Sequence, residues 1–173
     1  MAEARGTEIG PELVLELADA EATRAWGRRL AAVLRAGDLV VLSGPLGAGK
    51  TTLAQGIGAG LGVRGQVASP TFIIARVHPS LTDGPALVHV DAYRLGSLEE
   101  LDALDLDASL DESVTLVEWG EGLAEVLSED RLEVVLERPH GAGAGEAPLD
   151  GAGVRHVTVR AVGPRWAGVR LPA

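Results

Sequence analysis

A chain of 173 residues with 46% hydrophobic content, no cysteine and a formal net charge of -10 is sized for a single domain, expected to span residues 1–173 around one core. The missing cysteines exclude disulfides, thiolate metal sites and cysteine nucleophiles. No apolar stretch approaches the roughly 20 residues of a membrane span, and the acidic start (Glu3, Glu8, Glu12) is unlike a signal peptide, so the cytoplasm is the expected location with no membrane contact.

Glu12 to Leu17 alternates like a short strand, and Asp19 can cap a helix running to about Arg35, with Leu30, Val33 and Leu34 on its apolar face and Gly37 as its stop. Leu39 to Leu42 is an apolar run of the kind buried on both faces of a parallel sheet. Gly44 to Gly49 is a loop, and the helix after it reaches about Leu61 and ends at Gly62. Further strands are expected over Phe72 to Val77, Leu87 to Val90 and Val114 to Val117, with helical segments near Leu98 to Leu104 and Glu121 to Leu127. Leu132 to Leu136 and Val154 to Val162 read as a closing strand pair, separated by a Gly-, Ala- and Pro-rich stretch from Arg138 to Gly153 that predicts a flexible loop. The fold class expected from this order is α/β, a mostly parallel sheet flanked by helices with an antiparallel C-terminal edge.

Gly44-Pro45-Leu46-Gly47-Ala48-Gly49-Lys50-Thr51 satisfies the phosphate-loop pattern G-x-x-x-x-G-K-[ST], and it stands where the mechanism needs it, between an apolar strand and a helix. From this chain's own composition the pattern would arise by accident about once in several hundred such chains, before the strand and helix context is demanded. Glycines let backbone N–H groups turn around a β-phosphate at a helix N-terminus, Lys50 would reach the β- and γ-phosphates, and the Thr51 hydroxyl would ligate Mg²⁺. The candidate nucleotide contacts are Leu46, Gly47, Ala48, Gly49, Lys50, Thr51 and Thr52. Fourteen arginines and one lysine make up the fifteen basic residues, and that lysine is Lys50. A compact ammonium is thus kept where a planar guanidinium would not nest among amides and phosphate oxygens. ATP is expected over GTP, because the Asn-Lys-x-Asp element that reads guanine needs a second lysine. The adenine contact is open between the Ala18 to Thr23 segment and the C-terminal strands.

A hydrolase built on such a loop needs an acid at a neighbouring strand end and a group that orients water. Asp91 follows Leu87 to Val90, and Glu118 follows Val114 to Val117; each alone could equally be a solvated carboxylate, and which one touches the metal is open. Ser69-Pro70-Thr71-Phe72 opens a strand, so Thr71 could meet the γ-phosphate or its Mg²⁺ as a switch threonine. The catalytic candidates are therefore Lys50, Thr71, Asp91 and Glu118, and the metal candidates Thr51, Asp91 and Glu118. Phe72, Tyr93 and Trp119 sit near these groups, with core packing as the plainer role. His89 shares a strand face with Asp91 and reads as a packing or supporting residue rather than a metal ligand.

Gly-Pro-Leu-Gly-Ala-Gly-Lys-Thr-Thr at 44 to 52, Ser-Pro-Thr-Phe at 69 to 72, His-Val-Asp-Ala-Tyr-Arg at 89 to 94 and Val-Glu-Trp at 117 to 119 resemble the bacterial TsaE (YjeE) family over about Leu13 to Leu136. The resemblance implies a P-loop NTPase fold and a small Mg²⁺-dependent ATPase, slow alone, that serves the threonylcarbamoyl modification of adenosine 37 in tRNA by acting on a complex of TsaD and TsaB. It also implies Thr51 and Glu118 as Mg²⁺ ligands, Asp91 as a metal or water-positioning acid and Thr71 as the switch threonine. The acidic net charge fits tRNA held by the partners rather than by this chain. The chain departs from relatives at Gly120-Glu121 and in the Arg138 to Gly153 insertion, which leaves the C-terminal correspondence open. A small-molecule kinase would need an Arg-bearing lid, for which Arg94 and Arg131 are isolated; a nucleotide-gated binding module would use ATP without significant hydrolysis.

Overall fold

Parallel strands in mid-sheet lose water from both faces and so need continuous apolar runs, whereas strands nearer an edge keep one wet face and alternate. The computed structural model, which describes residues 9–45, 49–64, 75–91, 111–118, 130–137 and 154–173, sorts the chain by this rule. Among the described residues the strands are Ile9–Leu17 (β1), Leu39–Ser43 (β2), Ala75–His78 (β3), Ala86–Asp91 (β4), Ser113–Glu118 (β5), Arg131–Glu137 (β6) and Arg155–Val162 (β7), in one sheet of order β1-β7-β6-β2-β5-β4-β3. The pairs β6·β2, β2·β5 and β5·β4 are parallel; β1·β7, β7·β6 and β3·β4 are antiparallel. β5 is buried at every residue and β2 at all but Ser43, while β6 and β7 alternate.

The α/β expectation holds, with a parallel centre and the antiparallel β6·β7 pair. Two features differ from it. β7 is not the edge, because β1 pairs outside it with Glu12 and Glu16 on its exposed face. Charge on an edge strand discourages further pairing. The opposite edge, β3, is also antiparallel. The segments near 98–104 and 121–127, residues 72–74 of the third strand, and 138–153 lie outside the described residues.

Among the described residues two α-helices cover one face of the sheet. In α1 (Ala20–Ala31) the Asp19 side chain accepts from Ala22 N–H at 2.8 Å, as an N-cap should. The helix stops at Ala31 rather than near Arg35. Val33 and Leu34 tighten to i→i-3 bonds, and the Asp38 carboxylate then takes the Arg35 N–H at 2.8 Å. Gly37 (φ 95) serves the turn into β2 rather than the helix stop. α2 (Lys50–Leu61) ends as expected at Gly62, left-handed at φ 70, with its N–H bonded to Ala59.

Leu53, Ala54 and Ile57 of α2 join Trp26 and Leu30 of α1 in one core with Val40, Leu42, Leu87, Val114, Leu116, Val134 and Val159 of the sheet. The C-terminal segment is strapped across it. Trp26 Nε1–H donates to the Pro172 carbonyl at 3.0 Å, and Arg165 makes a two-pronged pair with buried Asp38 at 2.9 and 3.0 Å while lying over Trp166.

The two helices touch backbone to backbone. A β-carbon on Gly27 would stand 2.9 Å from both Ile57 N and Leu53 O, and one on Gly56 would fall on the Arg24 carbonyl with the Arg24 Cα 2.8 Å away. Gly→Ala within a helix ordinarily stabilises by about 1 kcal/mol. Here overpacking reverses the sign: Gly56→Ala should destabilise by about 1–3 kcal/mol, read as a lower urea midpoint at unchanged slope.

His78 is buried, its Nδ1 3.3 Å from the Arg64 carbonyl. Burial holds its pKa below 6.5, opposed by that carbonyl and reinforced by His89 and Arg76. The unfolded chain therefore takes up the proton first as pH falls. The His78 contribution is complete above pH 6.5 and lost as pH drops from there through the folded value. Urea midpoints across this range should fall more steeply for the wild type than for His78→Gln.

Candidate functional site

Strand parity assembles the site. Leu87 on β4 and Val114 and Leu116 on β5 point into the core shared with α2, so His89, Asp91 and Glu118, at even spacing from them, lie on that same face. Register brings the ends level: Leu42 of β2 is opposite Glu118 of β5, and Glu118 is opposite Asp91 of β4. The loop leaves β2 one residue later, and its helix returns over these strand ends. This is the carboxyl edge of a parallel sheet where the order reverses on either side of β2, the place at which such sheets take ligands.

The loop is shaped by glycine at both ends. Gly44 has φ 146, and Gly49, the residue before α2, is left-handed at φ 104. The α1 N-terminus is capped by Asp19 and carries Glu21 in its first turn, but that of α2 has neither a side-chain cap nor an acid. Its amides and positive dipole end thus suit an anion. Lys50 is buried, and its Nζ donates to the carbonyls of Gly44 at 2.6 Å and Pro45 at 3.1 Å, so the ammonium ties the two ends of the loop together. Burial lowers its pKa below 10.5, while the charges of Glu118 and then Asp91 raise it. Both carboxylates therefore act on the one ammonium.

Glu118 is nearly inaccessible, and its Oε2 lies 2.6 Å from Nε2 of fully buried His89. Asp91 is partly exposed at the tip of β4. Thr51 and Thr52, in the first turn of α2, are partly exposed as well. The described residues hold no cluster of three or more His, Cys, Asp or Glu groups suited to a metal. The oxygen donors available here are the carboxylates of Asp91 and Glu118 at the strand ends and the Thr51 hydroxyl in the first turn of α2. This suits Mg²⁺, which binds through one or two carboxylates and completes its shell with water and phosphate oxygens. The expected loop residues Leu46, Gly47 and Ala48, the switch candidate Thr71, and Phe72, Tyr93, Arg94 and Trp119 lie outside the described residues. Arg131, considered for a lid, is paired with Glu133 at 2.9 Å.

Sequence reasoning missed Arg155. It opens β7 on the core face, in parity with Val157 and Val159, and is 2% exposed. A β-carbon on Gly49 would lie 3.5 Å from its Nε and 3.8 Å from Leu136 Cδ2, so the guanidinium rests against the last glycine of the loop. A charged residue at a core-parity position next to a Gly-rich segment was the available signal. Arg155 also pairs with Leu17, which makes the Ala18 to Thr23 segment and the C-terminal strands neighbours at this end of the sheet.

A family profile described as "Threonylcarbamoyl adenosine biosynthesis protein TsaE" matches residues 17–144. Proteins named "tRNA threonylcarbamoyladenosine biosynthesis protein TsaE" are similar along most of the chain. The one from Streptomyces coelicolor is 65% identical over 145 residues, 83% of this chain and 93% of that protein. The one from Bacillus subtilis is 38% identical over 148 residues, 84% of each. The crystal structure of Bacillus subtilis YdiB superposes with a TM-score of 0.66 at 32% identity, covering 92% of this chain and 90% of that one. No helix among the described residues is long and apolar enough to cross a membrane. With the phosphate-loop strand, glycines, lysine and facing acids in place, the chain belongs to the TsaE family.

Proposed function

We propose that this chain, as one domain over residues 1–173, binds ATP with Mg²⁺ and hydrolyses it slowly in support of tRNA N6-threonylcarbamoyladenosine formation, acting in the cytoplasm on a TsaD–TsaB complex. The observation that carries the ATPase part is the meeting of a buried lysine, two register-matched carboxylates and an uncapped helix start at one edge of the sheet. The partners come from what the family resemblance implies, and the pathway from the names of the relatives.

In this assignment Leu46, Gly47, Ala48, Gly49, Lys50, Thr51 and Thr52 wrap the triphosphate. Lys50 exchanges its two loop carbonyls for phosphate oxygens, trading neutral acceptors for charged ones. Mg²⁺ when bound would offset phosphate charge, held by Thr51 and by Asp91 or Glu118. The carboxylate not so used would orient and take a proton from an attacking water, and Thr71 is assigned the γ-phosphate side. The chain itself carries too much negative charge to hold tRNA and would reach it only through its partners.

Lys50→Ala should lower ATP affinity by about a hundredfold or more, since at least two charge-assisted contacts of about 1.5 kcal/mol each are lost. Glu118→Ala should keep measurable binding while Mg²⁺-dependent phosphate release drops by on the order of a hundredfold. Calorimetry and phosphate-release assays read the two effects, and a Glu118→Ala protein hydrolysing at the wild-type rate would remove Glu118 from the mechanism. Adding TsaD and TsaB to the purified chain should raise phosphate release. Repeated tRNA modification sustained by a non-hydrolysable ATP analogue would instead favour a nucleotide-gated module.

A further inference from the structure

Glu118 is nearly inaccessible to water, so the direction of its two oxygens depends on what the protein offers them. Register would set it beside Asp91, its cross-strand partner. Its carboxylate nevertheless contacts His89, which lies opposite Leu116, one side-chain pair further from the strand tips. The contact is short, 2.6 Å between Nε2 and Oε2, and both side chains are buried. The other imidazole nitrogen, Nδ1, has no hydrogen-bond partner among the described residues, so the tautomer that satisfies the pair carries its proton on Nε2 and donates it to Glu118.

We infer that His89 is a positioning residue: by holding Oε2 of Glu118 back from the strand tips, it leaves Oε1 as the oxygen presented to the metal and water side of the nucleotide site. The inference rests on the Mg-nucleotide function proposed above and deepens it. Three features support a positioning role over simple packing. The ring lies on the same sheet face as Asp91 and the lysine-bearing helix, where an aliphatic side chain like Leu87 or Leu116 would pack as well. It brings a donor to one acidic oxygen of the site. Among the described residues no other side chain hydrogen-bonds the Glu118 carboxylate. Hydrogen bonds to metal-binding carboxylates commonly change metal affinity by about 10–100-fold when removed.

The test uses the full chain with ATP analogue and Mn²⁺ as a spectroscopic substitute for Mg²⁺, bound metal being counted by electron paramagnetic resonance. His89→Phe keeps a ring and loses the donor. His89→Gln places an amide donor where Nε2 stands, and His89→Asn places one where Nδ1 stands. The expected result is Mn²⁺ affinity of the nucleotide complex reduced about 10–100-fold in His89→Phe and His89→Asn and largely restored in His89→Gln, with metal-free nucleotide affinity held within about twofold throughout. If His89→Phe does not fold, the Gln and Asn variants decide alone. Equal metal affinity in those two, or wild-type affinity in His89→Phe, overturns the assignment. A wild-type chain that binds no nucleotide overturns the proposed function itself, whereas normal wild-type binding with metal affinity indifferent to residue 89 overturns only the role of His89.

Discussion

The parallel register of β2, β5 and β4 is the constraint on which the rest of the molecule depends. Leu42, Glu118 and Asp91 stand side by side, so the point where the loop departs and the two acids end at one level. A slip of one residue would turn Glu118 to the other face and bring an apolar neighbour forward, because strand side chains alternate. The register is held by Val40, Leu42, Val114, Leu116 and Leu87, all fully buried against the helices. Glycine contacts between α1 and α2 carry the same precision outward. They let α1 and α2 pack backbone to backbone.

Charge within the fold divides into two kinds. Partly exposed Arg165 reaches in to buried Asp38, with the guanidinium also reaching the Val33 carbonyl, and this pair fastens the C-terminal segment to the turn before β2. Its charges are matched and its geometry closed. At the strand ends the balance is different: one ammonium faces two carboxylates, and its neutral partners are the loop's own carbonyls. Neutral acceptors hold an ammonium less firmly than anionic oxygens do, so these carbonyls grip Lys50 less tightly than Asp38 grips Arg165.

Much of this was legible beforehand because it rests on local rules. The loop pattern names Gly49 and Lys50, the apolar runs name the parallel strands, and Gly62 ends α2 as a left-handed glycine should. Asp91 and Glu118 could be picked out as strand-end acids, but that they stand opposite each other is a fact of strand order, and nothing in either segment encodes it. The same limit hid Arg155, whose meaning appears only when β7 is seen to begin beside the loop glycine. The misplaced end of α1 has a local cause: apolar Val33 and Leu34 extend the helical period, while the Asp38 side chain competes for the backbone just beyond it.

The pairing of β1 with β7 also brings together two segments that are far apart in the chain. The segment after β1 and the start of β7 looked like alternative sources of contact to a nucleobase, being far apart in the chain. Leu17 and Arg155 are cross-strand partners, so the two segments border one region, with Gly49 and Leu136 as its inner wall. The antiparallel addition of β7 and then β1 beyond β6 is what brings them there. A strand order that looks like mere edge protection therefore also extends the carboxyl edge of the sheet past the phosphate loop, on the side away from Asp91 and Glu118.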